Sequence, residues 1–420
     1  MLKRANMSLV KLIVIGAGNR GTGYASYASE HPDRARIVGV AEPREYFRLQ
    51  LARTHDIPRE NIFTDWRDLA RREKFADAVI IATQDAMHAE PAIAFANAGY
   101  HILLEKPMAP NEADCRRIAQ AATANKNIFA VCHVLRYTRY TQKLKAMIDS
   151  GVIGEVVNIQ RLEPVGYWHH AHSYVRGNWR KESESSFMLL SKSCHDLDWI
   201  RYIMGARCVA VSSFGTLKHF RREEKPEGAG DRCLDCDYEP KCPFSAKKIY
   251  LGRLQRGHTG WPVDVLTPEP TVESVTEALR SGPYGRCVYE CDNDVVDNQV
   301  VNMLFEGGKT ATFTMTAFTE LAHRKTRIFG TRGELYGDGS KIRHFDFLSD
   351  KTEVINTGTS DASILGGHGG GDYRLMESFV SAVANNDPKR ILSGPEESLE
   401  THLMVFAAER ARRENRVVNL

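Results

Sequence analysis

The sequence predicts an α/β protein with a doubly wound parallel sheet at its N-terminal end and a second α/β domain built on a large, mainly antiparallel open sheet. Three observations predict it. An apolar run over Leu9–Ile15 stops at glycines spaced 16, 18 and 21. Apolar runs and helical patterns then alternate as far as Val131, as βαβ units require. Past residue 150 the runs become half-polar alternations, as in strands with one solvated face.

The first element is a strand that ends at Gly16. Gly16 permits a tight turn, Gly18 a close approach of backbone to a ligand, and Gly21 close helix–strand packing. The helix that follows offers free N–H groups and its positive dipole end to phosphates. Asn19 and Arg20 lie in the same turn. Arg36–Ala41 reads as the second strand and ends at Glu42, about 20 residues past the glycines. A carboxylate there accepts the ribose hydroxyls of a dinucleotide and repels a 2′-phosphate, so NAD is expected ahead of NADP; Arg44 weakens that preference.

Ala78–Ala82 is a continuous apolar run, as in a parallel strand covered on both faces. Ala89–Ala98 reads as a helix stopped by Gly99, and His101–Leu104 as the next strand, leading into Glu105-Lys106-Pro107. Asn111 is placed to cap a helix that runs to about Ala124, and Asn127–Val131 is a further strand. A Rossmann domain over 7–132 is expected, followed by a second domain over 133–420. In the latter, Val156–Gln160, Asn298–Phe305, Lys309–Thr316, Thr326–Gly330 and Gly333–Gly337 read as strands, and 219–295 as a Cys-, Pro- and Arg-rich insertion. The Gly366–Gly371 run reads as a hinge or a point of close backbone approach before a helix that Asp372 and Tyr373 begin.

Composition narrows the function classes. A net charge of +3 over 420 residues, with no Lys/Arg block, argues against a nucleic-acid partner. No apolar run approaches ~18 residues, so no membrane span is expected. The polar Met1–Met7 stretch lacks a signal-peptide core, and a cytoplasmic protein is expected. Nine cysteines in such a chain point to thiols or a metal rather than to disulfides.

With these motifs in place the chain resembles the glucose–fructose oxidoreductase / inositol dehydrogenase (Gfo/Idh/MocA) family along nearly its whole length. The resemblance rests on the glycine turn, on Thr83 to His88 after the Ala78–Ala82 strand, on Glu105-Lys106-Pro107, on Arg136-Tyr137 and on Gly151–Val156. It implies an oxidoreductase acting on a sugar, polyol or glycoside by hydride transfer to NAD. It also implies a cofactor site that includes Thr83, His88, Glu105 and Lys106, and a homodimer or homotetramer assembled through the open sheet. Lys106 matches the family's catalytic lysine, which polarises the substrate oxygen and stabilises alkoxide charge. His195 matches the proton-shuttling position. Where the family usually carries Asp, four residues before this His, the chain has Ser191, and the neighbouring Lys192 joins the catalytic and substrate-binding candidates. The alternative activity is that of the family's glycoside hydrolases, which keep NAD bound, oxidise a sugar transiently, eliminate the aglycone and reduce the ring again.

The segment Tyr167–Arg180 is dense in aromatic and cationic side chains, suited to the faces and hydroxyls of a carbohydrate. His172, Tyr174, Arg176, Asn178 and Trp179 are therefore expected to bind substrate, with Arg136, Tyr137, Lys192 and His195. In the insertion, Cys233, Cys236 and Cys242, completed by Cys287 or Cys291, can supply four thiolates to a structural zinc ion. An iron–sulfur cluster or packed thiols are the other readings of the same spacing.

Overall fold

The computed structural model describes residues 8–358 and 368–420. Met1–Met7 and the start of the Gly366–Gly371 run lie outside them. Six strands form the first sheet: β1 Val10–Ile15, β2 Ala35–Ala41, β3 Ile62–Phe63, β4 Ala78–Ile81, β5 His101–Leu104 and β6 Phe129–Val131. Every pairing is parallel, in the order β3-β2-β1-β4-β5-β6. The order reverses between β1 and β4, which opens a crevice at the carboxyl ends of these strands. β1, β4 and β5 are almost wholly buried, which explains their unbroken apolar runs. Asn111 caps the helix Glu112–Ala124 by accepting from Asp114 N at 2.9 Å.

The second sheet has nine strands: β7 Val156–Pro164, β8 Cys208–Thr216, β9 Asn298–Phe305, β10 Thr310–Thr316, β11 Lys325–Gly330, β12 Gly333–Gly337, β13 Lys341–Asp346, β14 Lys351–Asn356 and β15 Val418–Asn419. Their order is β14-β13-β12-β11-β7-β10-β9-β8-β15, with β7–β10 the one parallel pair. β9 alternates buried and exposed residues, so one face packs against helices and the other stays open. The helices Cys194–Met204 and Pro395–Glu414 cover the inner face through Trp199, Ile200, Met404 and Ala408.

The helix Gly371–Asn385 belongs by position to the second half of the chain. It packs instead on the first sheet, where Leu375, Met376, Phe379 and Val380 join the core around Leu12, Val14 and Ile80. Two buried ion pairs tie the inner helix to its surroundings. Arg136 holds Asp198 through Nε at 2.8 Å and Nη2 at 2.7 Å. Arg161 holds Asp196 at 2.8 Å and stacks over Trp199, its guanidinium carbon 3.9 Å from the ring centroid. Such pairs add little net stability while intact, but an orphaned partner is costly. Arg136→Met strands Asp198 in the core, and urea unfolding should show a loss of about 3–5 kcal/mol.

Candidate active site

The cofactor end of the site follows from backbone constraints. Gly16 has φ +89°, and a Cβ there would lie 2.6 Å from Ala82 O. A Cβ on Gly21 would lie 1.9 Å from Gly16 O. Both positions therefore exclude side chains. Gly18 occupies the N-cap of the helix Asn19–Glu30 with no side-chain cap, which leaves the helix N-terminus facing the crevice beside Asn19.

Glu42, at the end of β2, is 2% exposed. It accepts from Ala17 N at 2.9 Å, from Arg44 N at 3.0 Å and from Arg44 Nε at 2.8 Å. Burial pushes its carboxyl up, but Arg44 and the amides outweigh burial and hold it below the usual carboxylate range. Arg44 is thus committed to Glu42, and the carboxylate stands charged where a dinucleotide's ribose belongs.

Glu105 is the junction of the site. It accepts from Arg20 Nε at 2.5 Å, from Tyr24 Oη at 2.8 Å and from Lys106 N at 2.7 Å. Arg20 also bonds Tyr24 and Asp372. His88 is fully buried, with Nδ1 2.7 Å from Pro107 O and Nε2 3.1 Å from Thr83 O. It clasps the Thr83 loop to the Glu105–Pro107 turn, and Thr83 Oγ1 donates to Met87 O at 3.2 Å. Lys106 reaches across to the second half of the chain, where Nζ donates to Ser191 O at 2.8 Å. With Ser191 in place of a carboxylate, the lysine is met by a backbone carbonyl.

Lys192 lies next to that contact. Its ammonium is 3.3 Å from Glu163. Burial lowers its pKa; Glu163 opposes this, while the cations Arg324 and Lys106 add to it. Arg324 bridges Glu163 at 2.5 Å and Asp196 at 3.0 Å. His195 is 3% exposed on the helix Cys194–Met204, its ring edge-on to His133 at 6.0 Å. Glu163 and Arg324 were not legible as site residues, because single charges on strands and loops carry no spacing signal.

Several expected substrate contacts sit elsewhere. Arg136 is 3% exposed and engaged by Asp198 and Leu392 O. Tyr137 is 4% exposed, its hydroxyl 3.0 Å from Ser393 Oγ. His172 bonds Tyr250 Oη at 2.9 Å and stacks on Tyr284 at 5.0 Å. Arg176 is buried in the insertion, donating to Arg286 O at 2.8 Å and Phe244 O at 2.9 Å. All four are engaged internally, although Arg176 Nη1 is buried without a hydrogen-bond partner among the described residues. Tyr174 is buried within the electrostatic reach of Glu163 and Arg324, whereas Asn178 and Trp179 are exposed.

The zinc expectation gains no support. Cys233, Cys236, Cys242 and Cys287 line one small cavity with Arg176. Among the described residues, however, no three His, Cys, Asp or Glu side chains are arranged to hold a metal ion. The thiols are engaged otherwise: Arg176 donates to Cys233 Sγ at 3.4 Å, Gly230 N to Cys236 Sγ at 3.3 Å, and Cys291 Sγ to Cys287 O at 3.2 Å. His170 stacks between Tyr174 and Phe220.

A crevice at the strand ends, with a glycine turn, a buried carboxylate at the end of β2 and a lysine facing a polar, charged wall, suits a nicotinamide-dependent oxidoreductase. The comparisons agree. The family described as "Oxidoreductase family, NAD-binding Rossmann fold" matches residues 10–133, and its "C-terminal alpha/beta domain" matches 145–420. The chain belongs to the Gfo/Idh/MocA family and is an NAD-binding oxidoreductase. It is 25% identical over 336 residues to YteT of Bacillus subtilis (strain 168), covering 76% of each chain. It is 29% identical over 209 residues to 2,7-anhydro-N-acetylneuraminate hydratase of Mediterraneibacter gnavus (strain ATCC 29149 / DSM 114966 / JCM 6515 / VPI C7-9), covering 50% of this chain and 53% of that one. A levoglucosan dehydrogenase in complex with NADH and levoglucosan has the same fold, with TM-score 0.69 and 17% identity over 98% and 99% of the two chains.

Two expectations follow. Glu42→Ser removes the carboxylate and frees Arg44, so the ratio of NADP to NAD dissociation constants should fall about ten-fold or more in fluorescence titrations. Burial above all holds His133, His170 and His172 neutral, each with its pKa pushed down to about 3 from 6.5. Below pH 6.5 the unfolded chain takes up protons that the folded chain refuses. Their contribution to stability is therefore intact above pH 6.5 and lost as pH falls towards 3. The slope in that window should reach about 4 kcal/mol per pH unit for three protons, read from denaturant midpoints against pH.

Proposed function

We propose that the chain oxidises or reduces a carbinol carbon of a sugar, polyol or glycoside. The observation that carries this reading is the meeting of Lys106 with the Ser191–Lys192 turn, which leads into the helix that carries His195, at the carboxyl edge of the parallel sheet. The sugar-directed relatives support the substrate class. When bound, NAD supplies a hydride acceptor and donor at the nicotinamide. Glu42 and the Gly16–Gly21 turn would hold its adenosine and phosphate portions. Glu105 fixes the backbone of Lys106, so the ammonium is presented at one place. There it can donate to the substrate oxygen and stabilise negative charge as the C–H bond breaks. His195 takes the hydroxyl proton in oxidation and returns it in reduction. Lys192, with its lowered pKa, supports the same transfer or holds a neighbouring hydroxyl.

The second reading is glycoside cleavage by transient oxidation, elimination and re-reduction with retained NAD. The hydratase relative, named for an anhydro-sugar, and Ser191 in the acid/base turn favour it. We further infer a homodimer or homotetramer in the cytoplasm, joined through the open face of the nine-stranded sheet. Phe214, Val300 and Leu304 are 60%, 38% and 42% exposed on that face.

Sugars and nitrophenyl glycosides separate the two activities. NADH accumulating in step with substrate consumed supports the dehydrogenase; aglycone released without net NADH supports the hydrolase. In either case Lys106→Ala should lower kcat about 100-fold or more while NAD affinity by equilibrium dialysis stays unchanged. Undiminished turnover would remove Lys106 from the chemistry.

A further inference from the structure

The insertion leaves an indole exposed beside the site. Trp261 is 42% exposed. Its ring meets His169 edge-on at 4.9 Å, Trp168 at 5.2 Å and His172 at 5.4 Å. Arg253 covers Trp168, its guanidinium carbon 3.9 Å from the ring centroid. The row runs on from His169 to Tyr174 at 6.2 Å, and from Tyr174 to Trp179 at 6.2 Å, where a second indole is 38% exposed.

This row adjoins the reacting groups. The segment that carries His169 follows directly on β7, and Glu163 near the end of that strand lies 3.3 Å from the Lys192 ammonium. His169 Nδ1 is buried with no hydrogen-bond partner among the described residues. Nor is Trp261 loosely hung. Val263, two residues on, is fully buried with Ile249, Tyr250, Val275 and Leu279 in the insertion's own core. An indole fixed before a ligand arrives loses little freedom on binding.

We infer that Trp261, with His169, forms a second sugar-binding position one ring beyond the reacting carbon, so that the preferred substrate is a glycoside with at least two sugar units. The inference rests on the proposed action on a carbohydrate. The electron-rich face of an indole attracts the slightly positive C–H face of a pyranose, and the polar rim of such a row suits its hydroxyls. Nothing in this position is needed to oxidise a free monosaccharide. The insertion then works as a specificity element, and its separate core exists to hold the platform.

The test compares methyl glycosides with (1→4)-linked disaccharides of glucose, galactose and mannose on the NAD-loaded enzyme. Wild type should favour the disaccharide of its preferred sugar. Trp261→Ala should lower kcat/KM for that disaccharide about three- to ten-fold, leave the methyl glycoside within about two-fold, and Trp261→Phe should recover most of the loss. Equal losses on both substrates, or unchanged disaccharide kinetics, overturn the inference. If no carbohydrate supports hydride transfer or cleavage, the proposed activity fails. Tryptophan fluorescence then still decides the subsite. Saturable quenching by a disaccharide that Trp261→Ala abolishes supports it, and no quenching in the wild type overturns it.

Discussion

One buried carboxylate organises the reaction centre. Glu105 is 5% exposed and is held below its usual pKa, because Arg20 and Lys106 together outweigh the cost of its burial. Through Arg20 it reaches the glycine turn, by accepting from the backbone N–H of Lys106 it sets that residue, and through Arg20 and Asp372 it reaches the helix Gly371–Asn385. A charge taken this far from water persists only when fully paired. The cofactor loop, the lysine turn and a C-terminal helix are therefore obliged to meet in one arrangement.

A second set of charges answers it across the crevice. Glu163 and Asp196 lie among Lys192, Arg324 and Arg161, so that cations and carboxylates alternate behind the site. Here burial above all lowers the pKa of the lysine next to Ser191; Glu163 opposes it, and the cations Arg324 and Lys106 add to it. Lys106 Nζ is met on this side by the Ser191 carbonyl at 2.8 Å.

The parallel sheet and the cofactor turn were legible in the sequence because each rests on local constraints. Gly16 and Gly21 admit no side chain, and buried parallel strands read as unbroken apolar runs. The Glu105-Lys106-Pro107 turn after β5 was legible from its immediate neighbours. The substrate wall was not. Arg136 and Tyr137 look like ligand-binding residues, yet Asp198 and Ser393, which satisfy them, lie 62 and 256 residues away. Polar residues facing a cleft and polar residues paired inside it carry the same letters. Trp261 escaped notice because a lone aromatic among turns has no period. The edge strand β14 went unread because nearly all of it is exposed, so no alternation marks it.

The placement of the helix Gly371–Asn385 bears on how the protein is made. One face of the first sheet is completed only by Leu375, Met376, Phe379 and Val380. During synthesis, β1 to β6 emerge long before that helix does. Until more than two hundred further residues have been added, apolar surface around Leu12, Val14 and Ile80 lacks its permanent cover. The chain cannot mature in simple order from its first residue to its last. That face of the first sheet is sealed only after nearly the whole chain has been made.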